Sequence, residues 1–88
     1  MNRHYFQVYR DMIEDCLYQP KIYTRLIHRS KTNTKIYKIL EDRGLLLRRL
    51  EFNDESQARS EVYMVYATPK GKEYVEHVNR VEELMGIK

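Results

Sequence analysis

The sequence predicts an α+β domain built from three short helices, a two-stranded hairpin and a long closing helix. Three observations carry that prediction. Apolar residues recur at three- and four-residue spacing over 5–17, 36–40 and 74–85, the signature of helices with one buried stripe. Two strand-like runs, Leu45 to Phe52 and Glu61 to Ala67, flank a polar loop. Breakers fall between these segments, at Gln19-Pro20, Gly44 and Thr68-Pro69. With 88 residues there is one domain, 1–88, and a chain of this size commonly extends its small core by dimerising.

Asn2 is a suitable cap for a first helix from about Arg3 to Leu17, whose stripe is Tyr5, Phe6, Tyr9, Met12, Ile13, Cys16 and Leu17. Gln19-Pro20 ends it. A second helix is expected from about Lys21 to His28, with Ile22, Leu26 and Ile27 inward. Arg29 to Thr32 reads as a turn. Thr32 or Asn33 then caps a third helix to Arg43, with Ile36, Ile39 and Leu40 inward. Gly44 stands where a left-handed helix end calls for glycine. After the first strand, residues 53–60 hold no apolar side chain larger than alanine. In the second strand Val62, Met64 and Tyr66 alternate with Tyr63, Val65 and Ala67. Thr68-Pro69 is a strong helix start, and the last helix, about 68–86, stops at Gly86.

The overall charge of +3 is mild, but its distribution is uneven. Residues 21–49 hold nine Lys/Arg and two acids, Glu41 and Asp42, for a net +7, while the remainder holds seven basic and eleven acidic residues, for a net −4. Positive charge concentrated on two short helices joined by a tight turn is the footprint of a nucleic-acid-binding module.

Two strands do not form a stable sheet alone, so the hairpin must pack on the three-helix unit. That is the architecture of a winged helix-turn-helix, and at this point the sequence resembles the winged-helix transcription regulators. It is most similar to small archaeal and archaeal-viral members, with PadR-like and MarR-like regulators further away. Ile36-Tyr37-Lys38-Ile39-Leu40-Glu41-Asp42-Arg43-Gly44-Leu45-Leu46 resembles the end of the family's recognition helix, which leads through Gly-Leu into the first wing strand. Tyr66-Ala67-Thr68-Pro69-Lys70-Gly71-Lys72-Glu73-Tyr74 resembles its second wing strand turning into the last helix through Thr-x-Lys-Gly. With Thr24-Arg25-Leu26-Ile27, the resemblance covers roughly residues 5 to 86. Two features depart from the family. Ala67 stands where a larger aliphatic residue is usual, and the turn between helices two and three is a little shorter than in the archaeal members. The resemblance implies a homodimeric regulator of an archaeon or an archaeal virus that binds double-stranded DNA in a sequence-specific way, third helix in the major groove.

The expected recognition surface is Lys31, Thr32, Asn33, Thr34, Lys35 and Lys38, with Arg29 in the turn before it. Thr34, Lys35 and Lys38 fall away from the apolar stripe. The alternative is an ordinary solvated helix face, weakened by six basic residues between Lys21 and Lys38 with no intervening acid. Tyr37 sits between core and surface, either stacking on sugar and phosphate or half-buried at the helix edge. In the wing Arg48, Arg49, Gln57 and Arg59 are available, with Arg48 and Arg59 taken as DNA contacts and acids in the hairpin as alternative partners for Arg48 or Arg49. On the last helix Tyr74, Val78, Val81 and Met85 share a seam, with Val75 and Leu84 beside it. This reads as a coiled-coil-like dimer contact, against the alternative that the stripe covers the first helix within one subunit.

Other classes find little support. Cys16 lies on the first stripe as a small core residue, and one cysteine permits no intrachain disulfide, which fits a reducing cytoplasm, the host's if the protein is viral. His4, His28 and His77 do not combine with Cys16 at metal-ligand spacing, so no metal or cofactor is expected. There is no nucleophile motif, Gly-rich phosphate loop or paired acid set, so no enzyme is expected. No small-molecule ligand is evident, no apolar run approaches the ~20 residues of a membrane span, and no apolar signal segment follows Met1. Two rivals to a regulator remain: a protein-interaction winged helix of a transcription or replication assembly, and a non-specific, chromatin-type DNA coat.

Overall fold

The helical and strand-like spacings resolve into four helices and a three-stranded antiparallel sheet in the computed structural model, which describes residues 4–28, 31–53 and 60–86. Helix α1 is Tyr5–Leu17. Its cap is His4, whose extended backbone presents its carbonyl to Gln7 and Val8 without a side-chain bond. Asn2, the expected cap, lies outside the described residues. The stripe turns inward through Met12, Ile13 and Cys16, whereas Tyr5 is exposed. Burial pushes the Cys16 thiol up to about 12, so it stays protonated at neutral pH.

After Pro20 the chain does not go straight into a helix as expected. Lys21–Ile22 form a short strand, β1, paired with Val65 and Met64. β-branched Ile22 suits a strand that satisfies the open edge of the hairpin. Helix α2 is therefore only Tyr23–Ile27, and Ile22, Leu26 and Ile27 are partly buried.

Helix α3 is Lys31–Asp42. Ile36, Tyr37 and Leu40 point into the core and Ile39 is partly buried. It ends as its glycine requires: the Leu45 N–H donates to the Leu40 carbonyl, the Gly44 N–H to Glu41, and Gly44 has φ 76°. These are the two bonds of a Schellman cap, with buried Leu45 against buried Leu40 as its apolar contact.

Strand β2 is Leu46–Asn53, β3 is Ser60–Ala67, and the sheet order is β1-β3-β2. Leu46 opposite Ala67 and Arg48 opposite Val65 share the face that meets the helices, where Leu46 and Val65 are fully buried. Further out on that face, Leu50 opposite Tyr63 and Phe52 opposite Glu61 lie beyond the core and are exposed. Residues 54–59, with Gln57 and Arg59, lie outside the described residues.

Helix α4, Pro69–Met85, is joined to the end of α3 by the Thr-x-Lys-Gly segment. The Thr68 hydroxyl accepts from the Gly71 N–H and donates to the Gly44 carbonyl at 2.7 Å, and Lys70 Nζ donates to Arg43. A Cβ on Gly71 would collide with the Leu45 carbonyl oxygen, so the close crossing needs glycine. Gly86 closes the helix with φ 67°.

Helices α1 and α4 run antiparallel and are tied by charge. Arg10 Nη1 donates to Glu82 at 2.5 Å and to Asn79 at 2.5 Å, and Gln7 donates to Glu82 at 2.8 Å. Arg10 and Glu82 are both buried. The bond to Glu82 raises the Arg10 pKa and so keeps the guanidinium charged.

This tie corrects the expected seam on α4. The inward line is Gly71, Val75, Val78 and Glu82. Val78, expected at a subunit contact, is 6% exposed and lies on the face turned to α1, and the Tyr74 hydroxyl donates to the Phe6 carbonyl. Of the expected dimer residues, only Val81 and Met85 remain on the surface, beside Leu84. The shift has a simple cause. A charged residue such as Glu82 reads as exterior until its buried partner Arg10 is known.

Candidate nucleic-acid interface

Helix α3 divides cleanly. Its inner face places Ile36, Tyr37 and Leu40 in the core, and its outer face presents Thr34, Lys35 and Lys38 to solvent. On α2, Thr24 and Arg25 are also exposed. Among the described residues, none of Arg25, Lys35 and Lys38 takes part in an ion pair. Asn33 is half-buried and has a partner. Arg29 lies outside the described residues, as do the side chains of Lys31 and Thr32, although both belong to the first turn of α3.

The basic surface has a boundary. Between α1 and α2 a half-open cavity of ≈ 580 Å³ has Asp11 and Asp15 on one wall and Lys21 and Arg25 on the other. The acids of α1, with Asp11 paired to Arg10, border the basic surface on that side. Away from that cavity the exposed cations are Lys35 and Lys38 of α3, beside Thr34, and Arg25 of α2 stands at its rim.

Two expected contacts are placed differently. Tyr37 is 1% exposed, so its ring is a core residue and not a contact to sugar or phosphate. It packs edge-on against Tyr23 at 4.8 Å, and its hydroxyl donates to Glu41 at 2.5 Å. Burial and that carboxylate both raise its pKa, holding the hydroxyl neutral. Spacing alone hides this, because Tyr37 falls between the two sides of the stripe.

Arg48 stands among aromatic rings. Its guanidinium carbon lies 4.7 Å from the centroid of Tyr23, 5.3 Å from Tyr63 and 5.6 Å from Tyr37, and its Nε is 3.1 Å from Glu41. Arg48 therefore already has a carboxylate partner, though on α3 and not in the hairpin. On the opposite face of the sheet Arg49 lies 6.0 Å from Tyr66, whose hydroxyl donates to Glu51 and whose pKa that bond raises.

Arg25 was not singled out by sequence. Its signal in the sequence is membership, with Lys21, of the acid-free basic run.

Compared with protein-family models, with curated proteins and with solved structures, the chain shows no match in any of the three. Among the described residues no three His, Cys, Asp or Glu side chains are grouped to hold a metal, and no helix is long and apolar enough to cross a membrane.

Proposed function

We propose that the chain is a winged helix-turn-helix protein that binds double-stranded DNA as a homodimer and acts as a transcriptional regulator rather than an enzyme. The observation that carries this reading is the division of α3, with every large apolar side chain turned inward and an outer face of threonine and lysines without ion-pair partners. Helices α2 and α3 follow closely in the chain, and the exposed Thr34, Lys35 and Lys38 of the second suit insertion of α3 in the major groove. The β2–β3 hairpin that follows serves as the wing against the adjacent backbone. Exposed Val81, Leu84 and Met85 at the end of α4 supply the subunit contact, in place of the longer seam expected from sequence. This reading agrees with the sequence resemblance to small archaeal and archaeal-viral regulators.

The test is a binding titration against random duplex and against DNA upstream of the protein's own gene, across a salt series. A regulator prefers the upstream DNA and loses affinity steeply as salt rises, because each neutralised phosphate releases counterions. Lys35→Ala and Thr34→Ala then reduce the preference by on the order of 1–3 kcal/mol for a true base contact. Equal affinity for both DNAs indicates a non-specific coat. A slope near zero removes the electrostatic basis of the reading.

A second reading, a protein-interaction module, has one observation in its favour. The outer hairpin exposes Leu50, Phe52 and Tyr63, and residues 50–61 carry four acids against one arginine. An exposed apolar patch in an acid-rich stretch of sequence suits a protein better than a phosphate backbone. Absence of duplex binding in the same titration favours this reading.

A further inference from the structure

We propose that Arg48 is a positioning residue that clamps the wing to α2 and α3, and so sets the angle between the recognition helix and the wing, rather than a contact to DNA phosphate. The inference rests on the reading of α3 and the hairpin as one DNA-binding surface.

The need for a clamp follows from the topology. A two-stranded ribbon is marginal alone, and β1 adds only Lys21 and Ile22 to its edge. Beyond the Arg48–Val65 pair the hairpin leaves the core, with Leu50, Phe52 and Tyr63 exposed. Arg48 is the last residue of β2 on the inner face before that departure. Whatever fixes it fixes the direction of the projecting half.

The site is built for a guanidinium. Tyr23 from α2, Tyr37 from α3 and Tyr63 from β3 surround it at 4.7, 5.6 and 5.3 Å, so three elements meet on one cation. Glu41 takes its edge, with Nε 3.1 Å from Oε2. The same oxygen accepts the Tyr37 hydroxyl, which holds the carboxylate in place from one turn earlier on α3. A planar, delocalised cation offers faces to rings and an N–H edge to a carboxylate together, which the point charge of lysine does not. Glu41 already takes its edge and three rings already engage it, so although its side chain is 37% exposed, Arg48 reaches a phosphate only by giving up these partners.

The experiment compares Arg48→Lys, Arg48→Ala and Tyr63→Leu with wild type in two assays. The first needs no DNA: amide hydrogen exchange of 46–53 and 60–67, with tyrosine near-ultraviolet dichroism, which tryptophan does not obscure because the chain has none. All three variants are expected to keep their helical content while hairpin amides exchange at least about tenfold faster. Methylguanidinium at tens of millimolar partly restores the protection in Arg48→Ala, relative to equal sodium chloride. The second assay is the duplex titration. Affinity falls by about tenfold in Arg48→Lys at every salt concentration, with the slope unchanged because the same phosphates are neutralised. A phosphate contact gives the opposite pattern: Arg48→Lys binds like wild type and Arg48→Ala loses about one unit of slope. That pattern, or hairpin exchange unaltered in Arg48→Lys and Tyr63→Leu, overturns the clamp. If wild type binds no duplex the functional reading fails, while the exchange assay still decides whether Arg48 holds the hairpin.

Discussion

Helices α3 and α4 both carry an apolar stripe backed by charge, yet they use their surfaces differently. On α3 the inward positions are Ile36, Tyr37 and Leu40, and the outer face carries Thr34, Lys35 and Lys38 with no large exposed apolar side chain. On α4 the stripe is divided. Its first three turns close on α1 through Val75 and Val78, ending in the buried Arg10–Glu82 pair, and its last turn leaves Leu84 71% and Met85 67% exposed. A helix with all its apolar surface used inside the subunit and unpaired lysines outside is suited to a polar, charged ligand. A helix that ends in unused apolar surface is suited to a protein contact. Periodicity found both helices but did not separate these two uses.

The sharpest way to break the comparison is at the buried pair, which separates the two ends of α4. Glu82→Ala leaves Arg10 charged and buried without its main partner, a change that costs about 3–5 kcal/mol. Urea denaturation should show that loss. Arg10→Met with Glu82→Leu should recover most of it, because apolar replacement of both partners removes the desolvation cost. A loss below about 1 kcal/mol in Glu82→Ala would mean that α4 is held to α1 by its apolar residues alone, and that the pair does not set its register.

The next test is smaller and lies one turn further on. Leu84→Ser with Met85→Ser should weaken the dimer by about 2 kcal/mol or more, since each fully buried apolar side chain contributes ~1.5–3 kcal/mol. Subunit stability should change by no more than about 0.5 kcal/mol, as expected of surface positions. Val78→Ser should do the reverse, destabilising the subunit with little direct effect on association. Sedimentation across a concentration series reads the first effect and urea denaturation the second. A wild type that is monomeric where it binds DNA, or a doubly substituted chain that dimerises as wild type does, removes the end of α4 as the contact.

What the sequence made legible follows from which interactions are local. Gly44, Thr68-Pro69 and Gly86 mark element ends through backbone rules that act within a few residues, and each stands at such an end. The inner face of α3 was legible because its charges sit outside. Long-range pairings were not. Strand β1 has two residues, too few to alternate, and it exists because Met64 and Val65 present an open edge to it. Glu82 reads as exterior until Arg10 is seen beneath it. Arg48 reads as a wing cation for DNA or for an acid of the hairpin until the strand register sets it diagonally from Tyr63 and folding brings Tyr23, Tyr37 and Glu41 to the same place. The surface lysines of the candidate site were thus readable, whereas the side chains that orient it were not.

The smallest expected effect tests whether the inner face of α3 is as closed as the comparison requires. Tyr37 keeps its hydroxyl neutral because it is buried and because that hydroxyl donates to Glu41. Its folded pKa is therefore raised above the ordinary 10.0. A group raised in this way contributes stability that is fully present below the unfolded value and lost as pH rises through the folded one. At pH 7, Tyr37→Phe should cost about 1 kcal/mol, the typical worth of one hydrogen bond. Above about pH 10 the wild type should lose stability faster than Tyr37→Phe, by up to ~1.4 kcal/mol per pH unit, so the two curves converge. Tyr66 and Tyr74, also raised, are present in both proteins and cancel from the difference. Urea midpoints measured from pH 7 to 11.5 give both curves. If they fall in parallel, the Tyr37 hydroxyl reaches water in the folded protein, and the inner face of α3 is open at the point where Arg48 and the wing are meant to close it.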